Sequence, residues 1–200
     1  MLKNQNELSG WNTKEATGQG GPTRTVEMPD IFGGADKKTR PASVTILADQ
    51  GTIFSLVRDF SRWPSFMKHV TRVEQISPTK YRWTAGEAGK TTQWETEVLE
   101  EVPGQMIAWR TTEDSPFRQI GAIILDRAVG GRGTVLSFKM KNESVLAELV
   151  GFASKLTLKD PDSEAADTIR RLKALIETGE VPTVDGQPSG REEEEKEQVA

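Results

Sequence analysis

Tyr81-Arg82-Trp83-Thr84-Ala85-Gly86-Glu87-Ala88-Gly89-Lys90-Thr91-Thr92-Gln93-Trp94-Glu95-Thr96-Glu97-Val98 is the stretch whose reading decides the fold. Before Gly86 the period is two: Tyr81, Trp83 and Ala85 share one face, and Lys80, Arg82 and Thr84 the other. After Gly89 the alternation resumes, with Trp94, Thr96 and Val98 opposite Gln93, Glu95 and Glu97. Strands with one apolar face read this way, and the Gly-rich segment between them is a hairpin turn. The same segment ends in Gly-Lys-Thr, the close of a phosphate-binding loop. Thr84 stands where that loop needs its first glycine, and a strand follows where the phosphate needs a helix N-terminus. Nucleotide binding is therefore rejected in favour of a hairpin.

Working outward, the same period recurs in Ile107 and Trp109 and in Leu136, Phe138 and Met140, with turns at Pro103-Gly104 and Gly130 to Gly133. About six strands thus follow one another with no helix between them, which predicts an antiparallel meander. Upstream, Ser43 to Leu47 is a β-branched strand. Asp49 is placed to cap a helix in which Ile53, Leu56, Val57 and Phe60 recur at helical spacing. Pro64 starts or kinks a second short helix beside Trp63, Phe66 and Met67. Downstream, Ser144 to Leu156 carries a wide apolar arc. Asp160-Pro161 then opens a helix whose inner face holds Ala165, Ile169, Leu172 and Ile176, and Gly179 and Pro182 end it.

The flanks differ in composition. Residues 1–38 are polar and predict a flexible arm, with Trp11 and Phe32 as its docking points. Residues 39–181 form the folded domain. Residues 182–200 form a disordered acidic tail, in which Arg191 to Glu197 hold five glutamates in seven residues. The 200 residues carry a net charge of −4, which argues against a nucleic-acid partner. The absence of cysteine removes disulfides and thiolate chemistry. Met1 to Gly10 lack the apolar core of a signal peptide, and apolar runs of about six residues are too short to span a bilayer. A cytoplasmic location is expected. No metal site and no cofactor are implied, since His69 is the sole histidine and has no paired ligand spacing.

An antiparallel sheet with one apolar face must cover it, and the last helix is the element available. The aromatic residues Trp83, Trp94 and Trp109 then point inward, where they fill a core or line a cavity. The expected wall is Trp83, Trp94, Trp109, Phe138, Met140, Ile169, Leu172 and Ile176. Polar groups considered for chemistry inside it are Tyr81, Thr96, Ser137 and His69. His69 also suits a helix end, where its charge would meet the negative pole of the dipole. Glu95 and Glu97 share a strand face and read as solvated surface.

These elements resemble the START-related superfamily, in its polyketide cyclase/dehydrase and coenzyme Q-binding START-like branch. The resemblance rests on Asp59-Phe60-x-x-Trp63-Pro64-x-Phe66-Met67 followed by Val70 to Glu74. It extends through Trp94-x-x-x-Val98-x-Glu100-x-Val102-Pro103, Ile107-Ala108-Trp109 and Gly131-x-Gly133-Thr134-x-Leu136, and covers roughly residues 40–180. It implies an α+β helix-grip fold: a curved antiparallel sheet of six or seven strands wrapped around a long C-terminal helix. It also implies a deep apolar cavity between sheet and helix, holding a small hydrophobic ligand such as a lipid, a quinone or a polyketide-like molecule. Cyclase or dehydratase chemistry on a polyketide-like substrate stays open, as does an interaction role for the arm and tail. The helix at Ser144 to Leu156 would suit transient contact with a membrane.

Overall fold

The structure is a computed structural model, and it describes residues 30–32, 41–87, 90–142 and 161–181. Seven antiparallel strands form one open sheet in the order β1-β7-β6-β5-β4-β3-β2. They are β1 (Ala42–Ile46), β2 (Val70–Gln75), β3 (Lys80–Glu87), β4 (Lys90–Val102), β5 (Met106–Thr111), β6 (Gln119–Arg127) and β7 (Thr134–Asn142). The expected meander is β2 to β7, and β1 closes back onto β7, with Ala42 opposite Phe138 and Ile46 opposite Thr134. Register shifts at Val70/Arg72 and at Val98/Glu100 interrupt the ladders. Such bulges bend a strand and increase its local twist.

Helix α1 (Gln50–Arg58) starts where Asp49 accepts hydrogen bonds from Thr52 N at 2.9 Å and Thr52 Oγ1 at 2.6 Å. It buries Ile53, Phe54 and Val57. The second short helix is a 3-10 turn, Phe60–Ser65, with Pro64 inside it. The tighter spiral suits a segment with proline at its centre, since no amide hydrogen is available there. Helix α2 (Pro161–Thr178) begins at the expected proline and ends at Gly179, which has φ 79° and donates its N–H to Leu175 O. It packs on β1 and β7. The sheet and α2 form the helix-grip arrangement, α+β in class.

Strands β5 and β6 are buried on both faces, which the apolar run Ile120 to Leu125 permits. On the outer face Phe32 packs with Ile31 against Ala108, Ile120 and Ala122. Lys139 Nζ lies 4.8 Å from the Phe32 ring centroid, and Lys141 Nζ donates to Phe32 O at 2.8 Å. Within the segment expected to be a flexible arm, Ile31 and Phe32 are therefore docked on the sheet. Trp11, the helix expected over Ser144 to Leu156, and the acidic tail lie outside the described residues.

Candidate functional site

All eight expected wall residues meet on the inner side of the sheet. Trp83, Trp94, Trp109, Phe138, Met140, Ile169 and Leu172 belong to one buried cluster, and Ile176 packs against it. Strict alternation puts the five strand residues there, and the 3.6-residue period of the helix puts Ile169, Leu172 and Ile176 there. Trp83 and Trp94 are direct cross-strand partners, stacked with centroids 6.0 Å apart and planes 11° from parallel. Trp109 faces Gly121 across β5 and β6. A Cβ at Gly121 would sit 2.4 Å from the indole, so the missing side chain provides the surface on which that ring lies.

One residue outside the expected wall holds the cluster together. Trp63, 1% exposed, meets Phe60, Phe66, Trp83, Trp109 and Phe138 with centroids 5.2 to 6.0 Å apart. Most of these contacts are edge-to-face, the favoured arrangement for aromatic pairs. Trp63 Nε1 donates to Val57 O at 3.0 Å, so even its polar atom is satisfied inside the domain. The aromatic rings thus fill one another's space. A separate cleft of about 830 Å³ opens where the β1–α1, β4–β5 and β6–β7 connections meet, lined by residues including Leu47, Gln50, Gln105, Arg127, Arg132 and Thr134. None of the eight wall residues borders it.

The four polar candidates separate. Thr96 is buried, and its Oγ1 accepts from Trp83 Nε1 at 2.8 Å. Tyr81 is buried, with its hydroxyl held by Arg58 Nη1 at 2.6 Å and Gln75 Nε2 at 3.3 Å. Arg58 Nε in turn bonds Glu101, so this network braces α1 against the sheet. Ser137 faces away from the interior: it opposes Ser43 in the ladder and shares a hydroxyl hydrogen bond with it at 2.9 Å. The period that turns Leu136 and Phe138 inward turns Ser137 outward. His69 does not end a regular α-helix. It occupies a left-handed turn with φ 70° just before β2, and its carbonyl accepts Gly86 N–H at 3.0 Å. Among the described residues no group of three or more His, Asp or Glu side chains is placed to hold a metal ion.

Two polar residues on α2 were not expected at the site. Glu164 and Thr168 stand one turn apart on its buried face, 9% and 2% exposed, beside Ala165, Ile169 and Leu172. Their spacing was visible in the sequence, because 164 and 168 adjoin the apolar stripe. Burial, helped by the nearby charge of Asp167 and opposed by Lys68 and Arg171, pushes the Glu164 carboxyl up to about 7. The folded state therefore holds a proton that the unfolded chain releases at the ordinary carboxylate pH. The stability this contributes is complete below pH 4.5 and is lost as pH rises through about 7. With allowance for solvent access and for helix N-terminal amides that favour the anion, the effect is about 2 kcal/mol. Thermal unfolding at pH 5 to 8 should show Glu164→Gln overtaking the parent as pH rises. Parallel curves would mean that Glu164 ionises freely.

Comparison with known proteins places this geometry in a family. Residues 46–160 match the model of a family described as polyketide cyclase / dehydrase and lipid transport. An uncharacterized 17.2 kDa protein of Streptomyces lincolnensis is 26% identical over 130 residues, which span 63% of this chain and 81% of that protein. A crystal structure of a Deinococcus radiodurans protein superposes with a TM-score of 0.55 at 25% identity, covering 68% of this chain and 95% of that one. The di-domain ARO/CYC BexL from the BE-7585A biosynthetic pathway superposes with a TM-score of 0.50 at 16% identity, covering 68% of this chain and 46% of that one, and shows the fold alone. With more than half of its length matched, and with a seven-stranded sheet closed by a C-terminal helix, the chain belongs to the polyketide cyclase / dehydrase and lipid transport family.

Proposed function

We propose that the domain binds a small hydrophobic ligand between the sheet and α2, with Trp83, Trp94, Trp109, Phe138, Met140, Ile169, Leu172 and Ile176 as the wall. The observation that carries this reading is their convergence, from four strands and one helix, into one apolar cluster. The matching family's description, which includes lipid transport, supports it. The rings contact one another, so binding displaces the outermost of them, Trp94, from its contacts with Trp83 and Phe117 rather than the group held by Trp63. Hiding about 300 Å² of apolar ligand surface contributes roughly 7 kcal/mol before the costs of association.

Trp94 is the wall tryptophan to test. It is the most exposed of the three at 7%, and it touches Phe117 and Trp83 but not Trp63. Titration with the neutral fluorescent probe N-phenyl-1-naphthylamine should saturate on the parent protein. Trp94→Ala should bind it about tenfold more weakly while keeping its circular dichroism spectrum. Unchanged affinity in a folded variant would remove Trp94 from the wall, and a parent that does not bind the probe would remove the reading.

A second reading, cyclisation or dehydration of a polyketide-like substrate, is favoured by Glu164. A buried carboxyl that titrates near 7 can accept and return a proton at neutral pH. Chromatography of a linear poly-β-ketone incubated with the protein would show a cyclised product that Glu164→Gln fails to make. No product with the parent protein would leave binding alone.

A further inference from the structure

Two threonines on α2 behave differently. Thr178 is exposed, and its Oγ1 donates to Ala174 O one turn back at 2.8 Å, the usual resting place for a helical threonine hydroxyl. Thr168 is 2% exposed, and its Oγ1 has no hydrogen-bond partner. It is the one buried side-chain nitrogen or oxygen among the described residues left in that condition. An unpartnered buried hydroxyl costs free energy that a valine of the same shape would not. One turn before it on the same buried face lies Glu164, a group that rarely goes inside without a reason. The flanking face is Ala165, Ile169 and Leu172, so the two polar groups form an island at the edge of an apolar wall.

We infer that Glu164 and Thr168 are the polar end of the ligand site, and that they select hydrophobic molecules carrying a hydroxyl or carbonyl oxygen over those carrying none. This rests on the hydrophobic-ligand reading and adds what that reading lacks, a reason for one ligand chemistry over another. The Thr168 hydroxyl donates to a ligand oxygen or accepts from a ligand hydroxyl. The Glu164 carboxyl, which burial keeps largely protonated below neutral pH, can do the same. A purely hydrocarbon ligand would cover both groups and leave them unpartnered, which is how a site built for an oxygen rejects its absence.

The test uses two probes of nearly equal shape, 2-naphthol and 2-methylnaphthalene, each displacing N-phenyl-1-naphthylamine from the full chain. The quantity read is the ratio of their affinities. In Thr168→Val that ratio should move about tenfold against 2-naphthol, and Thr168→Ser should restore it. Glu164→Leu should move it the same way. Thr168→Val should also melt at a temperature equal to the parent's or roughly 2–4 °C higher, because it removes an unsatisfied group. An unchanged ratio would overturn the inference, and so would a lower melting temperature for Thr168→Val, which would make the hydroxyl a structural partner. If none of the three probes binds the parent protein, the hydrophobic-ligand reading falls first and takes this one with it.

Discussion

Trp63→Ala will destabilise the domain by about 4 kcal/mol or more, the largest effect expected of any single substitution here. Removing a fully buried indole leaves a cavity that its neighbours close only in part. Here those neighbours are five other aromatic rings, held at 5.2 to 6.0 Å and anchored on three strands, the turn Phe60–Ser65 and the residue that caps it, Phe66. Rigid rings on separate elements relax poorly into a gap. Val57 O also loses its donor inside the core, which adds about 1 kcal/mol or more. Against a stability of about 5–15 kcal/mol for a domain of this kind, that loss removes from about a third to nearly all of the folding free energy. Urea denaturation of Trp63→Ala and of the milder Trp63→Phe measures the difference. A loss below about 1 kcal/mol for the alanine would show that the interior is loosely filled there, contrary to its 1% exposure.

Gly133→Ala should cost about 3 kcal/mol, whereas Gly130→Ala, three residues earlier in the same turn, should cost about 1. Both positions have positive φ, 91° and 82°, so both variants carry the strain of a side chain in the left-handed region. Only at Gly133 does a Cβ also strike backbone, 2.3 Å from Ile46 O, and backbone cannot swing aside as a side chain does. Relief requires moving β1 off β7 at the Ile46–Thr134 pair, or breaking the Ala128 N–H to Gly133 O bond that closes the turn. At Gly130 a Cβ meets nothing within 4 Å. Thermal unfolding of the two variants separates strain from collision. Equal losses would mean that the β1–β7 end yields easily, and that the clash at Gly133 has no energetic weight.

That pair also shows where sequence reading stops. Gly130 to Gly133 announces a turn by composition, and the turn is there. Which glycine presses against β1 depends on β1 having crossed to pair with β7, residues about ninety positions away. The same limit explains the side chains. Period two along 81–98 separated Trp83, Trp94 and Thr96 from Arg82, Glu95 and Glu97, because a pleated strand leaves no choice of face. The same period along 134–142, with Leu136 and Phe138 inward, places Ser137 on the outer face beside Ser43, not among the interior polar groups. Trp63 was legible as part of a helical pair but not as the hub of the core, since that role comes from five partners spread over three elements and the adjoining turn. Glu164 and Thr168 were readable as polar neighbours of an apolar stripe, yet helical spacing alone cannot say how wide the buried arc will be.

The order of the elements, the hairpins of β2 to β7, the Asp49 cap and the limits of α2 at Pro161 and Gly179 follow from local chemistry, in which each residue acts on neighbours a few positions away. Phe32 on the outer face, the interlocked rings around Trp63, and a carboxyl and a hydroxyl buried side by side on α2 follow from packing. Burial is a property of whatever comes to lie opposite, and no residue carries that information in its own neighbourhood.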